Sequence, residues 1–233
     1  MKTRILTSLL AIACIAALVS CKHKMKPDTP LECNVNAAEV LGGEYSAADL
    51  RFFEVINEDS EEGIKYQEWF NALPDKPEGM NRLTVPASDT ATFSPRLREL
   101  CLQLCNDANE YDFAWQPSVY WDDTIYELLI YNRTPLQVSG NDVVEASAVK
   151  SAYNGEPVLN FTFSEKATPV WKQITDEQIG NRIAILLGKC VLSSPMILSV
   201  IENGQCSVSG LSEERTCALA KVLNRNAPAQ PEK

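Results

Sequence analysis

Residues 181–195 read NRIAILLGKCVLSSP. Asn181-Arg182 opens onto six residues without a charge. A Gly188-Lys189 pair follows, and a second apolar run closes at Ser193-Ser194-Pro195. Two short apolar runs split by a glycine-first pair predict a β-hairpin, with Gly188 suited to a type II′ turn. The stretch holds no obvious nucleophile, metal ligand or phosphate cradle, so its role has to be read from its surroundings.

Upstream, PVLNFTF (157–163) alternates, with Leu159, Phe161 and Phe163 on one face, and predicts a half-buried strand. ATPVWKQITDEQIG (167–180) predicts a helix with Val170, Ile174 and Trp171 inward, stopped at Gly180. Downstream, GQCSVSG predicts a short strand and LSEERTCALAKVLN a helix. Ser212 is its cap, Glu213 and Glu214 suit its positive end, and Ala218, Leu219, Val222 and Leu223 form its buried face. This succession predicts an α+β fold, a layer of helices packed on one mainly antiparallel sheet.

The first half is less regular. DLRFFEVI (49–56) predicts a strand, Tyr66–Ala72 a short helix, and SPRLRELCLQLCNDAN a helix capped by Ser94 with Pro95 first. On that helix Leu97, Leu100, Cys101, Leu104, Cys105 and Ala108 share one face, which makes both cysteines small core groups. Tyr111–Tyr131 holds seven of the 18 aromatic residues and ends in the strand-like TIYELLIY. Core filling is the reading preferred there over an exposed peptide-binding cluster.

At the N-terminus, Lys2 and Arg4 precede an apolar run from Ile5 to Leu18 and then Leu18-Val19-Ser20-Cys21. Residues 1–20 are expected to be a signal peptide, too short and too polar-flanked for a membrane span. Leu-Val-Ser-Cys resembles a bacterial lipobox, which implies cleavage before Cys21 and a diacylglycerol on its thiol. An ordinary secretory signal is the alternative. Residues 21–45, with prolines, charges and no apolar period, are expected to be a lipidated flexible tether reaching at most about 80 Å. Lys22, Lys24 and Lys26 sit beside the anchor, where anionic headgroups attract them. Lys22 in place of an aspartate favours the outer membrane over the inner, facing the periplasm. The whole chain carries 21 Lys+Arg against 31 Asp+Glu, a net of −10. Such a body is repelled by phosphate backbones, so no nucleic-acid partner is expected.

The last third resembles the head of the first periplasmic domain of SecD, an export subunit often fused as SecDF. That family's Gly-x-Pro-Val is Gly155-Glu156-Pro157-Val158 here. Its Thr-x-x-x-Ile-Gly-x-Arg-x-Ala-Ile motif is Thr175, Ile179, Gly180, Arg182, Ala184 and Ile185. The hairpin ending Val-x-Ser-x-Pro is Val191, Ser193 and Pro195, and Gly-x-x-x-Ser-Gly becomes Gly204, Ser209 and Gly210. Leu219-Ala220, with Glu213 or Glu214 upstream, keeps part of the final helix motif. PLQVSGNDVVEASAV is similar to the family's approach to this domain, and DLRFFEV faintly similar to its earlier base strand. The resemblance is specific over 134–224 and weak over 49–133. It implies a ferredoxin-like head over 134–224, after a small α+β region at 46–133, with residues 225–233 a disordered tail. Two departures stand out: Gly188-Lys189 replaces the usual Asp-Gly turn, and NRNAPAQPEK stands where the family enters its transmembrane helices. Without those helices the resemblance implies a detached head that contacts polypeptide rather than a proton-coupled motor.

Catalytic groups are sparse. His23 is the one histidine, which leaves no Ser-His-Asp system and no histidine-based zinc site. Ser147-x-x-Lys150 fits a penicillin-recognising motif but lacks its companion Lys-Thr-Gly. Asp107, Glu110, Asp112, Asp122 and Asp123 are paired carboxylates read as a solvated face; a metal-dependent or hydrolytic site at 107–123 is the alternative function. No cofactor is expected. Of the six cysteines besides Cys14 and Cys21, which allow 15 pairings, Cys190 and Cys206 are expected on neighbouring strands as a possible disulfide, with Cys217 an alternative partner. The reading is a non-catalytic, lipid-anchored envelope protein that binds polypeptide or an envelope partner.

Overall fold

The computed structural model describes residues 27–74, 82–118 and 124–224. The signal peptide, the Cys21 anchor, Asp122, Asp123 and the tail at 225–233 lie outside the described residues.

Along the chain come β1 (Thr29–Pro30), α1 (Ala37–Leu41), β2 (Leu50–Val55), α2 (Glu61–Asn71), β3 (Thr84–Pro86), α3 (Thr90–Leu104), β4 (Tyr111–Pro117) and β5 (Ile125–Ser139). Then follow β6 (Val143–Lys150), β7 (Pro157–Phe163), α4 (Thr168–Glu177), β8 (Ile183–Leu187), β9 (Cys190–Ser193), β10 (Gln205–Ser209) and α5 (Glu213–Asn224). The expected α+β class and antiparallel pairing hold, but the strands divide between two sheets rather than one. The larger runs β3-β5-β2-β8-β9, with β4 also on β5; the smaller runs β1-β6-β7-β10. β7 and β10 therefore leave the hairpin's sheet, because their Leu159, Phe161, Cys206 and Val208 face a core that both sheets share.

The uncharged run of the hairpin has a physical cause. Ile183, Ile185 and Leu187 enter the core between the sheets, while Ala184 and Leu186 enter a second apolar cluster with Phe53, Val55, Leu129, Tyr131 and Val191. A strand buried on both faces carries no charge. β2 also serves two clusters, Leu50 and Phe52 facing one and Phe53 and Val55 the other, although it keeps an exposed Arg51 and a half-buried Glu54. The larger sheet curls until β9 returns against β4, where Ser194 Oγ donates to Gln116 Oε1 at 2.7 Å. In the shared core Phe52 lies 5.4 Å from the Trp171 ring and 5.7 Å from that of Phe163. α2 and α3 cover a third cluster against Leu128 and Ile130 of β5.

Several expectations are corrected. β2 sits between β5 and β8, and the expected boundary at 133/134 falls inside β5, so the two regions share one sheet. The segment from Thr29 onward is docked rather than a free tether. β1 pairs with β6, α1 packs Ala37 against Ala218 and Val222 of α5, and Cys33 is bonded to Cys217. A covalent link supplies the fixation that the composition lacks. Cys190 lies exposed on the larger sheet and Cys206 buried on the smaller, so they are not on neighbouring strands and the possible bridge between them is not formed. α3 starts at Thr90, a turn before Ser94, whose hydroxyl donates back to the Thr90 carbonyl at 2.9 Å instead of capping. The helix also ends sooner, because Asn106 Oδ1 accepts from the amides of Ala108 and Asn109. Cys101 is core as expected, its thiol pushed up to about 12 by burial, while Cys105 is half-buried at the helix end.

Candidate functional site

The polar centre of the molecule lies where the curled sheet closes. Arg182, at the entry to β8, donates from Nη1 to Glu127 Oε1 at 3.1 Å and from Nε to the Ser194 carbonyl at 2.8 Å. Its Nη2 also donates to Ser194 Oγ. Arg82 reaches the same Glu127 oxygen at 2.9 Å and Glu58 Oε1 at 3.0 Å. Glu127, Gln116 and Ser194 are each under 10% exposed. Burial raises the Glu127 carboxyl above its ordinary range, against the opposing pull of Arg82 and a hydrogen bond from Gln116. A cavity of about 30 Å³ beside it, lined by Glu58, Tyr66, Arg82 and Arg182 among others, has room for about one water. A carboxylate flanked by two guanidinium groups, next to so small a void, is a clamp between β3, β4, β5, β8 and β9 rather than a substrate site.

Other motif residues are also committed to the framework. Thr175 is fully buried; its Oγ1 donates to the Lys172 carbonyl at 3.1 Å and accepts from the Ile201 amide at 3.0 Å. Thr175→Val is expected to cost about 1–3 kcal/mol by leaving that amide unpaired, read as a lowered Tm with an unchanged far-UV spectrum. An unaltered Tm would show that Ile201 has another partner. Gly180 takes φ 84°, and its amide donates to the Ile197 carbonyl at 2.8 Å. Gly204 lies so close to Thr168 that an added Cβ would meet its Oγ1 at 2.3 Å.

Residues 119–228 match the family model of the SecDF P1 head subdomain. Among curated proteins, the SecD protein translocase subunit of Magnetococcus marinus is 36% identical over 107 residues, 46% of this chain and 20% of that protein. SecD of Thermobaculum terrenum is 32% identical over 94 residues, 40% of this chain and 18% of that one. SecDF of Thermus thermophilus is 32% identical over 98 residues, 42% and 13% respectively. This chain thus spans a fifth or less of the length of these relatives. A solved structure of SecDF, described as a membrane component that enhances protein export, aligns with a TM-score of 0.44 at 22% identity, over 81% of this chain and 66% of that one. No helix among the described residues is long and apolar enough to cross a membrane.

The head signature therefore maps onto turns, caps and the Arg182 clamp. Of the carboxylates expected to form a solvated face, and in the alternative reading a metal or hydrolytic site, those among the described residues lie apart. Glu110 pairs with Arg133 at 3.2 Å, Asp112 accepts from the Phe113 amide, and Asp107 is exposed. No group of three or more ligating side chains forms among the described residues. Ser147 and Lys150 fall three apart on β6, hence on opposite faces of a strand, and Lys150 pairs with Glu213 at 3.0 Å.

One surface was missed in the sequence. Ile179, Met196 and Leu198 are 48%, 46% and 52% exposed. They are neighbours because Ile179 bridges to Ile197 and Arg182 to Met196. Just before Ile179 in the chain, exposed Asp176 and Glu177 end α4, and Gln178 donates to Glu54 at 3.1 Å. The apolar run Met196-Ile197-Leu198 directly after Pro195, without strand alternation, was the available signal.

Proposed function

We propose that this chain is a non-catalytic protein of the cell envelope, lipid-anchored through Cys21 and facing the periplasm, with the outer membrane favoured. Its head-like module binds a polypeptide or an envelope partner of protein export. The likeness to translocase subunits supports a role connected with export. The observation that carries the reading is the use of Arg182: the motif's charged residue is buried in a structural clamp, so recognition falls to the surface. Exposed Ile179, Met196 and Leu198, with the carboxylates of Asp176 and Glu177 just before Ile179 in the chain, suit extended segments with apolar and basic side chains.

A photocrosslinking residue in place of Met196 tests this against one in place of Tyr153, which is 86% exposed elsewhere. An unfolded, export-competent polypeptide should crosslink from position 196 and not from 153. Equal labelling would contradict the reading. The anchor is tested separately: labelled palmitate should enter the chain and be lost in Cys21→Ser.

A further inference from the structure

The inner edge of β6 pairs with β7 from Val143 to Lys150, whereas its outer edge meets, among the described residues, a fragment of strand. Thr29 and Pro30 lie opposite Lys150 and Val149, and the Leu31 amide donates to the Ala148 carbonyl at 2.9 Å. One step further, the Asn224 side chain stands in for a strand residue. Its Oδ1 accepts from the Ala146 amide at 2.9 Å and its Nδ2 donates to the Ala146 carbonyl at 2.7 Å. Beside this edge is an opening of about 400 Å³, walled by small side chains, Ala146, Ala148 and Ala220, and by the Cys33–Cys217 disulfide. Leu31 lies partly buried against it. An edge closed by two paired residues and one amide is a strand-docking edge held shut.

We propose that the outer edge of β6 docks an extended polypeptide segment, is occupied in cis by Thr29–Leu31, and opens when an external dithiol reduces Cys33–Cys217. The occupant's chemistry is read from the segment already there: an extended backbone with a leucine-sized apolar side chain toward the alanine-walled opening. In the opening step a dithiol thiolate attacks one sulfur of the bridge, forming a mixed disulfide and releasing the other cysteine. The second thiol of the donor then displaces the mixed disulfide. The protein gains two thiols and the donor becomes a disulfide, with two electrons and two protons transferred. The inference rests on the polypeptide-binding reading but is measured without any export partner.

Hydrogen exchange on the wild-type chain, with and without a dithiol, tests the gate. The Leu31 amide should exchange at least tenfold faster after reduction, while the Ala146 amide, held by Asn224 of α5 rather than by the released segment, should keep its rate; unchanged exchange at Leu31 overturns the gate. Disulfide capture tests the docking. Cys33→Ser leaves Cys217 as a thiol, which is offered the peptide PDTPLECNV (residues 27–35), or a scrambled peptide with its cysteine at the same place, each with that cysteine activated as a mixed disulfide with thionitrobenzoate, so that the Cys217 thiolate forms the new bridge and thionitrobenzoate leaves. The native-sequence peptide should be captured at Cys217 at least tenfold faster, with no such preference at the exposed Cys190. Equal rates at Cys217 overturn the docking edge. If the variant does not fold, the same two peptides are offered to dithiol-reduced wild type. Failure of the Met196 crosslink alongside a selective capture sinks the functional reading and leaves the β6 edge standing; the reverse pattern sinks the edge alone.

Discussion

Arg182→Ala is expected to destabilise the fold by about 3–5 kcal/mol, the usual cost of breaking a buried ion pair by removing one partner. For a chain of this size that corresponds to a fall in Tm of roughly 10 °C. The guanidinium donates to Glu127, to the Ser194 carbonyl and to the Ser194 hydroxyl. Its loss leaves two buried acceptors short of a donor and Glu127 with Arg82 and Gln116. Arg182→Lys should recover only part of the loss, since an ammonium cannot span the carboxylate and Ser194 in one plane. The measurement is thermal or urea unfolding of both variants. A loss below about 1 kcal/mol in Arg182→Ala would show that the clamp does not hold the sheet closed.

Removal of the Cys33–Cys217 bridge should have the second large effect. It joins residues 184 apart, and closing so long a loop in the unfolded chain is worth about 5 kcal/mol in the chain-entropy model, with about 2–5 kcal/mol typical of native bridges. Cys33→Ser should therefore melt well below the oxidised wild type. A dithiol should lower the wild-type Tm to nearly that of the variant and leave the variant's Tm unchanged. Equal stability of oxidised and reduced wild type would mean that α1 and β1 dock as firmly without the bond.

How much of this was legible follows from the range of the interactions. β7 shows its face because Leu159, Phe161 and Phe163 alternate within seven residues, and α5 shows its start because Ser212 accepts from the Arg215 amide within one turn. β8 was visible as a strand, but its two buried faces did not reveal that they serve different clusters. The division into two sheets depends on pairings such as Phe53 with Ala184 and Arg51 with Ser139, which no local pattern encodes. The partner of Cys217 was out of reach for the same reason, and α1, with five residues, is too short to show a helical period. The motif arginine was read as a family mark. Its use became visible only when Glu127, Gln116 and Ser194 were brought around it by β5, β4 and the end of β9.

The sharpest test replaces the clamp without removing the shape. Arg82→Met, Glu127→Leu and Arg182→Met together exchange the buried charges for apolar groups of similar volume, a change that is often neutral or stabilising. The combined variant still leaves the Ser194 carbonyl and hydroxyl without the Arg182 donor and should melt below the wild type, but it should fold, and its Met196 crosslink to an unfolded export-competent polypeptide should match that of the wild type. A folded variant that no longer crosslinks would contradict the claim that these residues are framework and would make the buried charges the working site.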